Sequence, residues 1–239
     1  MVRNVVITAG GTSEKIDDVR VISNFSSGRL GLAIAKCFLE SKTANIGKIY
    51  YLCDRNTIVP EDERVEPVRV LGAQGLLGAL ENLLATTKID AVIHAMAVSD
   101  YTVKQITTMN AIKDGKDIDK LDAEGKISSE IDDLVIVLKR APKVIGEIKK
   151  LQKETILVGF KLLSNVSKEE LIETGYKLLK KNSCDMVLAN DLSEISGDNH
   201  VGYLISGNRD YVRLATKKQI ANEIVKNVEQ LLVYKEEID

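Results

Sequence analysis

Continuous apolar runs alternate with amphipathic stretches along this chain, and their order predicts an α/β sheet. Residues 5–7 and 91–95 are short apolar runs of the kind that lie buried inside a parallel sheet. Further strands are predicted at 48–53, 66–70, 134–138, 156–160 and 185–189, and helices at 29–41, 73–86, 168–181 and 217–232, with another starting at Pro142. This alternation is typical of βαβ units. We therefore predict a doubly wound, Rossmann-like, mostly parallel sheet with helices on both faces.

Two segments depart from this alternation. Residues 201–206 and 211–214, joined through Gly207 and Asn208, predict a small β-hairpin. Residues 102–130 are polar and charged, and so long a loop inside a compact domain is unusual unless it is a lid or a flap that contacts a partner. We predict a long flap there. Since no internal repeat and no linker rich in proline or glycine interrupts the chain, residues 1–239 are expected to form one domain.

The stretch that follows the first strand carries the first candidate chemistry. Gly10 and Gly11 permit a sharp turn and close approach of a ligand, and Ser27 and Gly28 precede the predicted helix, whose N-terminus attracts anions. A glycine turn and an ordinary helix cap would use the same residues. The connection of about a dozen residues is longer than usual, however, and this favours a bound nucleotide or phosphorylated substrate.

A second loop is expected at the same place. Ligands of doubly wound sheets lie beyond the carboxyl ends of the strands. The glycine turn follows the first strand, and the segment 96–101 follows the strand at 91–95. Both loops are therefore predicted to share one edge of the sheet.

Composition excludes several classes of function. The chain has 239 residues, 44% of them hydrophobic and 28% charged, and a net charge of −2, so no basic field is available for nucleic acid. The cysteines (Cys37, Cys53 and Cys184) lack metal-ligand spacing, and two histidines leave little room for a zinc site or a Ser-His-Asp triad. Neither a signal peptide nor an apolar run able to span a bilayer is evident, so no membrane partner and a cytoplasmic location are expected.

Several motifs together resemble one family. Residues 7–31, which read ITAGGT-x-E-x-I-D-x-VR-x-ISN-x-SSG-x-x-G, resemble the N-terminal signature of phosphopantothenoylcysteine synthetase, the phosphopantothenate–cysteine ligase of coenzyme A synthesis. The stretches at 94–101, 126–129, 158–160, 181–182 and 189–191 are similar to later motifs of that family, in the same order. In many bacteria this domain is fused to a flavin-dependent decarboxylase. The chain is similar to the stand-alone form.

The resemblance implies a reaction in two steps. The carboxylate of phosphopantothenate attacks the α-phosphorus of a nucleoside triphosphate, which gives an acyl-nucleotide and pyrophosphate, and the cysteine amine then displaces the nucleoside monophosphate. The nucleotide is CTP in bacteria and ATP in many eukaryotes, and CTP is favoured here. Mg²⁺ is expected to bind mainly through the nucleotide phosphates, with no dedicated protein metal site. The family is dimeric, and the flap of one subunit reaches towards the active site of the other.

The resemblance also implies roles for individual residues. Lys126 is expected to neutralise charge during attack on the nucleotide, and Asn24 to hold the acyl-nucleotide or the oxyanion in the second step. The predicted nucleotide-binding residues are Gly10, Gly11, Ser27, Gly28, His94, Ala95, Met96, Asp100, Pro142, Phe160, Lys177 and Lys181. A histidine at the end of a buried strand is more often packed than catalytic.

Two stretches depart from the family pattern. Bacterial members usually have Asn-Pro-Asp where this chain has Ala141-Pro142-Lys143. The residues that follow Lys126 are Ile-Ser-Ser, whereas fused bacterial enzymes have Ile-Lys-Lys. The first departure bears on the nucleotide contacts, and the second on the choice between CTP and ATP.

Two other functions remain open at this point. A short-chain NAD(P)-dependent oxidoreductase would use the turn at Gly10 and the pair Tyr176 and Lys180, which fits Tyr-x-x-x-Lys. Against it, the remaining glycines of a dinucleotide fingerprint are missing and the segment 11–24 is too long for that turn. The third interpretation is a non-catalytic nucleotide-binding module, which nucleotide-dependent release of pyrophosphate would separate from the ligase.

Overall fold

The computed structural model of the chain describes residues 2–113, 125–196 and 199–238. Residue 238 is described by its backbone alone. Its strands are β1 (Arg3–Ala9), β2 (Ser13–Lys15), β3 (Val21–Ser23), β4 (Ile46–Cys53), β5 (Val65–Arg69), β6 (Ala91–His94), β7 (Tyr101–Thr108), β8 (Leu134–Arg140), β9 (Ile156–Leu163), β10 (Met186–Asp191), β11 (Ile195–Ser196), β12 (Asn199–Ile205) and β13 (Tyr211–Thr216). Its helices are α1 (Arg29–Glu40), α2 (Gly72–Thr86), α3 (Met109–Lys113), α4 (Ile145–Leu151), α5 (Lys168–Asn182) and α6 (Lys217–Ile238).

The main sheet has the strand order β11-β12-β10-β9-β6-β1-β4-β5, and β13 pairs with β12. The strands β10, β9, β6, β1, β4 and β5 are parallel, whereas β12 runs antiparallel to both β10 and β13. This confirms the predicted doubly wound α/β fold and the hairpin. The chain moves outward from β1 to β4 and β5, then returns to place β6 on the other side of β1. The gap between β1 and β6 is thus the topological switch point, where ligands of such sheets bind.

Helices cover both faces of the sheet, and its central strands are therefore buried on both sides. On one face, Phe38 of α1 and Ile224 of α6 pack with Ile7 of β1. On the other, Leu80 of α2 and Leu179 of α5 belong to the cluster that holds Val6. Neighbouring residues of β1 therefore point into different cores, and this accounts for the continuous apolar run that predicted the strand.

The prediction of a continuous loop at 102–130 is wrong for its first part. Residues of β7 pair antiparallel with β8 in a separate ribbon, and α3 follows; residues 114–124 lie outside the described part of the chain. The predicted strand at 134–138 exists but extends to Arg140 and belongs to this ribbon rather than to the main sheet. Most side chains of β7 are partly or fully exposed, so β7 has no apolar run to signal a strand.

Two local predictions are also corrected. The polar loop after Gly11 contains the hairpin of β2 and β3, whose very short and mostly exposed strands give no hydrophobic signal. Helix α4 begins at Ile145, so Pro142 belongs to the connection before the helix. In contrast, the Ser167 side chain accepts the predicted capping hydrogen bond from the Glu170 N–H at 3.1 Å. That residues 1–239 form one domain stays a prediction.

Candidate active site

The loops that follow β1 and β6 are joined by hydrogen bonds at the switch point. The Ala97 N–H donates to the Gly10 carbonyl at 2.9 Å, and the Thr12 N–H donates to the Ala97 carbonyl at 3.0 Å. These bonds continue the pairing of the two strands beyond their carboxyl ends. The two loops that the sequence assigned to one edge are therefore in direct contact there.

Gly10 and Gly28 lie against each other at the start of α1, and both have the left-handed backbone, with φ of 86° and 69°. A Cβ on Gly28 would lie 2.6 Å from Thr57 Cγ2 and 3.2 Å from the Gly10 nitrogen. A Cβ on Gly10 would lie 2.2 Å from Thr57 Oγ1. Only glycine fits at either position.

The N-terminus of α1 has no side-chain cap and no acidic residue in its first turn. Its first N–H groups therefore face the rim without an internal anion, and the helix dipole favours a negative charge there. Ser26, Ser27 and Arg29 surround this end of the helix in an open groove of about 420 Å³. The arrangement suits a phosphate group.

Asn24 is held by a polar network on the rim. Its N–H donates to the Thr12 carbonyl at 3.0 Å, and its Oδ1 accepts from Ser99 Oγ at 3.3 Å. Thr12 Oγ1 in turn donates to Ser99 Oγ at 2.9 Å and accepts from the Ser99 N–H at 2.8 Å. Because the amide oxygen is already engaged, the Nδ2 group of Asn24 is the part that can donate to a ligand.

Position 11 also requires glycine, for a separate steric reason. A Cβ there would lie 2.0 Å from the Asn24 carbonyl oxygen. The close approach that positions Asn24 beside the strand ends therefore requires glycine at this position.

His94 is a packed histidine. Burial lowers its pKa to about 4, so the ring is neutral at neutral pH. Thr8 Oγ1 accepts from the Met96 N–H at 3.1 Å and shares a hydrogen bond with His94 Nδ1, also at 3.1 Å. The Ala95 N–H donates to the Ile93 carbonyl at 3.1 Å, so this part of the predicted nucleotide-binding backbone is fixed by the end of β6.

Lys126 has an exposed side chain. The N–H and the carbonyl of the preceding residue, Gly125, are both hydrogen-bonded. The Gly125 N–H donates to Asp18 Oδ2 at 2.9 Å, and the Asp18 N–H donates to the Gly125 carbonyl at 3.2 Å. The turn at residues 17–20, at the tip of the hairpin of β2 and β3, therefore holds the chain on this side of the lysine.

The residue after Lys126 is bound by the same turn. The Ile127 N–H donates to Asp17 Oδ2 at 3.1 Å, and Arg20 Nη2 donates to the Ile127 carbonyl at 2.9 Å. The side chain of Arg20 pairs with Asp17 at 2.5 Å, and its hydrogen bonds hold the pKa of the Asp17 carboxyl far below the usual range. Sequence reasoning assigned no role to Asp17 or Arg20, although both belong to the N-terminal signature.

A buried carboxylate anchors the hairpin of β2 and β3 to the rest of the fold. Glu14 is 5% exposed, and its Oε1 accepts from the Ala73 N–H at 2.8 Å, at the first turn of α2. The helix dipole stabilises this negative charge. The 17–20 turn is thus supported from the main sheet by way of α2.

Two connected grooves of about 420 Å³ each join these features. One is lined by Asn24 and Ser27, the other by residues 17–19 and Arg69, and both include Ser13, Ser23, Asp54 and Asn56. A ligand lying along them would reach from the N-terminus of α1 past Asn24 to the turn that holds Lys126.

Asp100 and Lys143 form an ion pair at the edge of this region, and about 70% of each side chain is exposed. The Ala141 N–H donates to the Asp100 carbonyl at 2.9 Å, which brings residues 141–143, with Pro142 among them, beside the start of β7. Lys143, one of the two residues by which this chain departs from the Asn-Pro-Asp pattern, thus contacts the predicted nucleotide-binding residue Asp100.

The structure separates the remaining predicted nucleotide-binding residues. Phe160 packs on the face of the sheet that carries α1 and α6, whereas Lys177 and Lys181 lie on α5, which packs on the opposite face. Helix α5 runs back from the carboxyl edge, so at 1.5 Å per residue these lysines lie about 14 and 20 Å along its axis from Lys168. Lys177 and Lys181 are therefore not brought together with Gly10 and Gly28.

The pair that suggested an oxidoreductase also lies away from the rim. The Tyr176 ring on α5 contacts two cations, with Lys180 Nζ 5.4 Å and Arg209 Cζ 4.7 Å from its centroid. Cation–π contacts of this kind account for both residues without a role in catalysis.

Neither a metal cluster nor a membrane span is present in the described part of the chain. Among those residues, no group of three or more His, Cys, Asp or Glu side chains could hold a metal ion. Within the same ranges, no helix is both long and apolar enough to cross a bilayer.

Comparison with known proteins supplies the family. The family model described as the DNA/pantothenate metabolism flavoprotein C-terminal domain matches residues 1–232. The chain is 33% identical over 237 residues to the coenzyme A biosynthesis bifunctional protein CoaBC of Methanocaldococcus jannaschii, covering 95% of this chain and 51% of that protein. The corresponding protein of Thermococcus kodakarensis is 32% identical over 233 residues, covering 96% of this chain and 52% of that protein. The chain thus spans about half the length of these curated relatives.

A solved structure agrees with this result. The crystal structure of the DNA/pantothenate metabolism flavoprotein from Streptococcus pneumoniae superposes with a TM-score of 0.85 at 30% sequence identity. The alignment covers 96% of this chain and 99% of that one. The agreement therefore extends over the whole sheet and its covering helices.

Proposed function

Because the chain belongs to the family of the DNA/pantothenate metabolism flavoprotein C-terminal domain, we propose that it is a phosphopantothenate–cysteine ligase of coenzyme A biosynthesis. The names of the curated relatives support the pathway. One observation carries the proposal for this chain. An anion-binding helix N-terminus, the amide of Asn24 and the turn that holds Lys126 all lie along one connected groove at the switch point.

In the first step the chain's task is to let one anion attack another. The triphosphate binds against the N-terminus of α1, where Gly10 and Gly28 allow close approach. A carboxylate oxygen of phosphopantothenate bonds to the α-phosphorus, and the bond from that phosphorus to the oxygen bridging to the β-phosphate breaks. Lys126 offsets the charge that moves onto the leaving pyrophosphate. Mg²⁺, when bound to the phosphate oxygens, would supply further charge neutralisation.

In the second step Asn24 holds the acyl-nucleotide. Its Nδ2 group donates to the acyl oxygen, which becomes an oxyanion when the cysteine amine attacks the carbonyl carbon. The bond to the nucleotide oxygen then breaks, and the nucleoside monophosphate leaves while the amine loses its proton to water. The lowered pKa and the fixed Nδ1 hydrogen bond of His94 support a positioning role for this residue rather than that of a general base.

We assign CTP as the nucleotide, since the sequence otherwise resembles a compact bacterial form of the family. Two features depart from the bacterial pattern and do not support CTP, namely Lys143 and the Ile-Ser-Ser sequence after Lys126. Free thiols at Cys37, Cys53 and Cys184 support a reducing compartment, and we assign the enzyme to the cytoplasm.

We also propose that the enzyme is a homodimer. The ribbon of β7 and β8 and the helix that follows expose large apolar side chains, namely Tyr101, Met109, Ile112 and Leu138. Such a surface suits burial against a second copy of the chain. The predicted flap at 102–130 includes this ribbon, but its central residues 114–124 lie outside the described part of the chain.

Release of pyrophosphate tests the proposed function. The purified protein is incubated with phosphopantothenate and Mg²⁺, with CTP or ATP, in the presence and absence of cysteine. We expect release that requires phosphopantothenate, is faster with CTP, and leads to an amide when cysteine is added. Reactions without phosphopantothenate control for simple nucleotide hydrolysis. No release with either nucleotide would contradict the ligase and favour a non-catalytic nucleotide-binding module.

A further inference from the structure

The backbone on both sides of Lys126 is immobilised by one turn. The N–H and carbonyl groups of Gly125 and of Ile127 make four hydrogen bonds to residues 17–20. The Ile127 side chain is also buried, with 4% of its surface exposed. The lysine therefore projects from a fixed segment, although its own side chain is exposed.

Asp17 is the centre of this attachment. Its side chain is fully buried, and its two carboxylate oxygens accept five hydrogen bonds. Those from the N–H groups of Val19 and Arg20 close the turn, and the two from the Arg20 guanidinium aim that group at the Ile127 carbonyl. The fifth comes from the Ile127 N–H. Asp17 thus controls both contacts to the residue that follows Lys126.

We propose that Asp17 is a positioning residue for Lys126, which it holds in place through Arg20 and Ile127 for the first step of the reaction. The inference rests on the proposed function, because Lys126 acts on the leaving pyrophosphate there. Asp17 touches neither nucleotide nor substrate in this account. A displacement of a catalytic group by about 1 Å lowers a rate by about 100-fold, so a fixed backbone beside the lysine matters for its action.

A second turn of the same chemistry provides a matched control. Asp62 accepts from the Arg64 N–H, Nε and Nη2 groups at 2.8–2.9 Å, and Arg64 Nη2 donates to the Leu39 carbonyl at 3.1 Å. The pair therefore closes a turn and binds a distant carbonyl, as Asp17 and Arg20 do, but without contact to the neighbours of Lys126. Loss of Asp62 should reproduce the general structural effect of losing such a carboxylate.

The test compares Asp17→Asn with Asp62→Asn in both half-reactions. Asparagine keeps the size of aspartate but has one acceptor oxygen instead of two. We expect Asp17→Asn to lower the rate of phosphopantothenate-dependent pyrophosphate release by about 100-fold. The reaction of supplied acyl-nucleotide with cysteine should stay within about twofold of the wild type, because Thr12 and Ser99 hold Asn24. Asp62→Asn should change neither rate by more than about twofold.

A double variant separates positioning from a general loss of structure. In a Lys126→Ala background, Asp17→Asn should cause no further fall in pyrophosphate release, since the group that it positions is gone. A further fall there, an equal fall in both half-reactions, or a wild-type rate of pyrophosphate release in Asp17→Asn would each overturn the proposal. If the wild type releases no pyrophosphate at all, the proposed function fails instead.

Hydrogen exchange tests the attachment without any assay of activity. The Ile127 amide should exchange faster in Asp17→Asn than in the wild type, and at the wild-type rate in Asp62→Asn. An unchanged Ile127 amide in Asp17→Asn would show that this carboxylate does not hold the segment.

Discussion

The two proposed catalytic residues are held in different ways. Asn24 lies on the rim of the main sheet, where its backbone and its amide oxygen are bound by Thr12 and Ser99, both of which are buried. Lys126 lies outside the sheet, and only the backbone of its neighbours is bound, by a turn on a short hairpin. Asn24 is thus fixed by the main fold, whereas Lys126 depends on a local polar contact.

The way in which each residue is held fits the step that is proposed for it. A residue that stabilises an acyl-nucleotide benefits from a rigid place beside the strand ends, where little reorganisation is needed. A lysine that meets a triphosphate must first admit a large, charged ligand to the groove. Because Lys126 is attached through a turn rather than through the sheet, its side chain stays exposed and can meet the ligand as it enters the groove.

The largest expected effect comes from removing Lys126. Lys126→Ala should lower phosphopantothenate-dependent pyrophosphate release by about 1,000-fold, since one preorganised charge at the leaving group is lost. Its melting temperature should stay close to that of the wild type because the side chain is exposed. Single-turnover measurements of pyrophosphate check this. A rate near that of the wild type would remove Lys126 from the first step.

A smaller effect is expected from disturbing the rim itself. Gly28→Ala should lower the free energy of unfolding by about 2 kcal/mol and raise the KM for the nucleotide, because φ is 69° and the new Cβ meets Thr57 at 2.6 Å. Gly75→Ala is the matched control. Nothing lies within 4 Å of that Cβ in α2, so this variant should gain up to about 1 kcal/mol. Denaturant titrations measure both, and equal stabilities for the two variants would contradict the packing described at the rim.

The last prediction concerns pH, which should affect His94 on the rim but not Asp17 in the 17–20 turn. Burial lowers the pKa of His94 from 6.5 to about 4. Between these values the unfolded chain binds a proton that the folded chain does not, so the free energy of unfolding should fall as the pH drops. The expected loss from His94 at pH 5 is about 2 kcal/mol relative to pH 7. The Asp17 carboxyl, with its pKa far below the usual range, should stay ionised throughout.

Histidine variants divide this pH dependence between its sources. Burial also lowers the pKa of His200 to about 4, so His94→Gln and His200→Gln should each show a weaker dependence of stability on pH between 5 and 7 than the wild type. The pH profile of pyrophosphate release should have no inflection that depends on His94. An inflection near pH 6.5 that disappears in His94→Gln would instead identify His94 as a catalytic group.

The sheet and its rim could be predicted from the sequence because their signals are local. Apolar runs such as 5–7 are buried on both faces, and the glycines at 10 and 28 adopt the turns that the pattern suggested. The strands β2, β3 and β7 of the two ribbons could not be predicted in this way. Most side chains of β2, β3 and β7 are at least partly exposed, so they lack the periodicity of a buried face.

The attachment of Lys126 and the placement of α5 in the fold could not be read from the sequence, for different reasons. The bond from Ile127 to Asp17 joins residues 110 positions apart, and no local pattern reports such a contact. The spacing of Lys177 and Lys181 correctly predicts a shared helix face. It does not tell which end of the helix lies at the ligand edge of the sheet, and the topology places that end at Lys168.

The central claim is that Asn24 acts after the acyl-nucleotide has formed and Lys126 acts before. The most direct measurement is to quench reactions of Asn24→Ala and Lys126→Ala with phosphopantothenate, CTP and cysteine, and to quantify acyl-cytidylate by mass spectrometry. We expect the intermediate to accumulate in Asn24→Ala and to be absent in Lys126→Ala. Accumulation in the lysine variant and none in the asparagine variant would contradict this order of action.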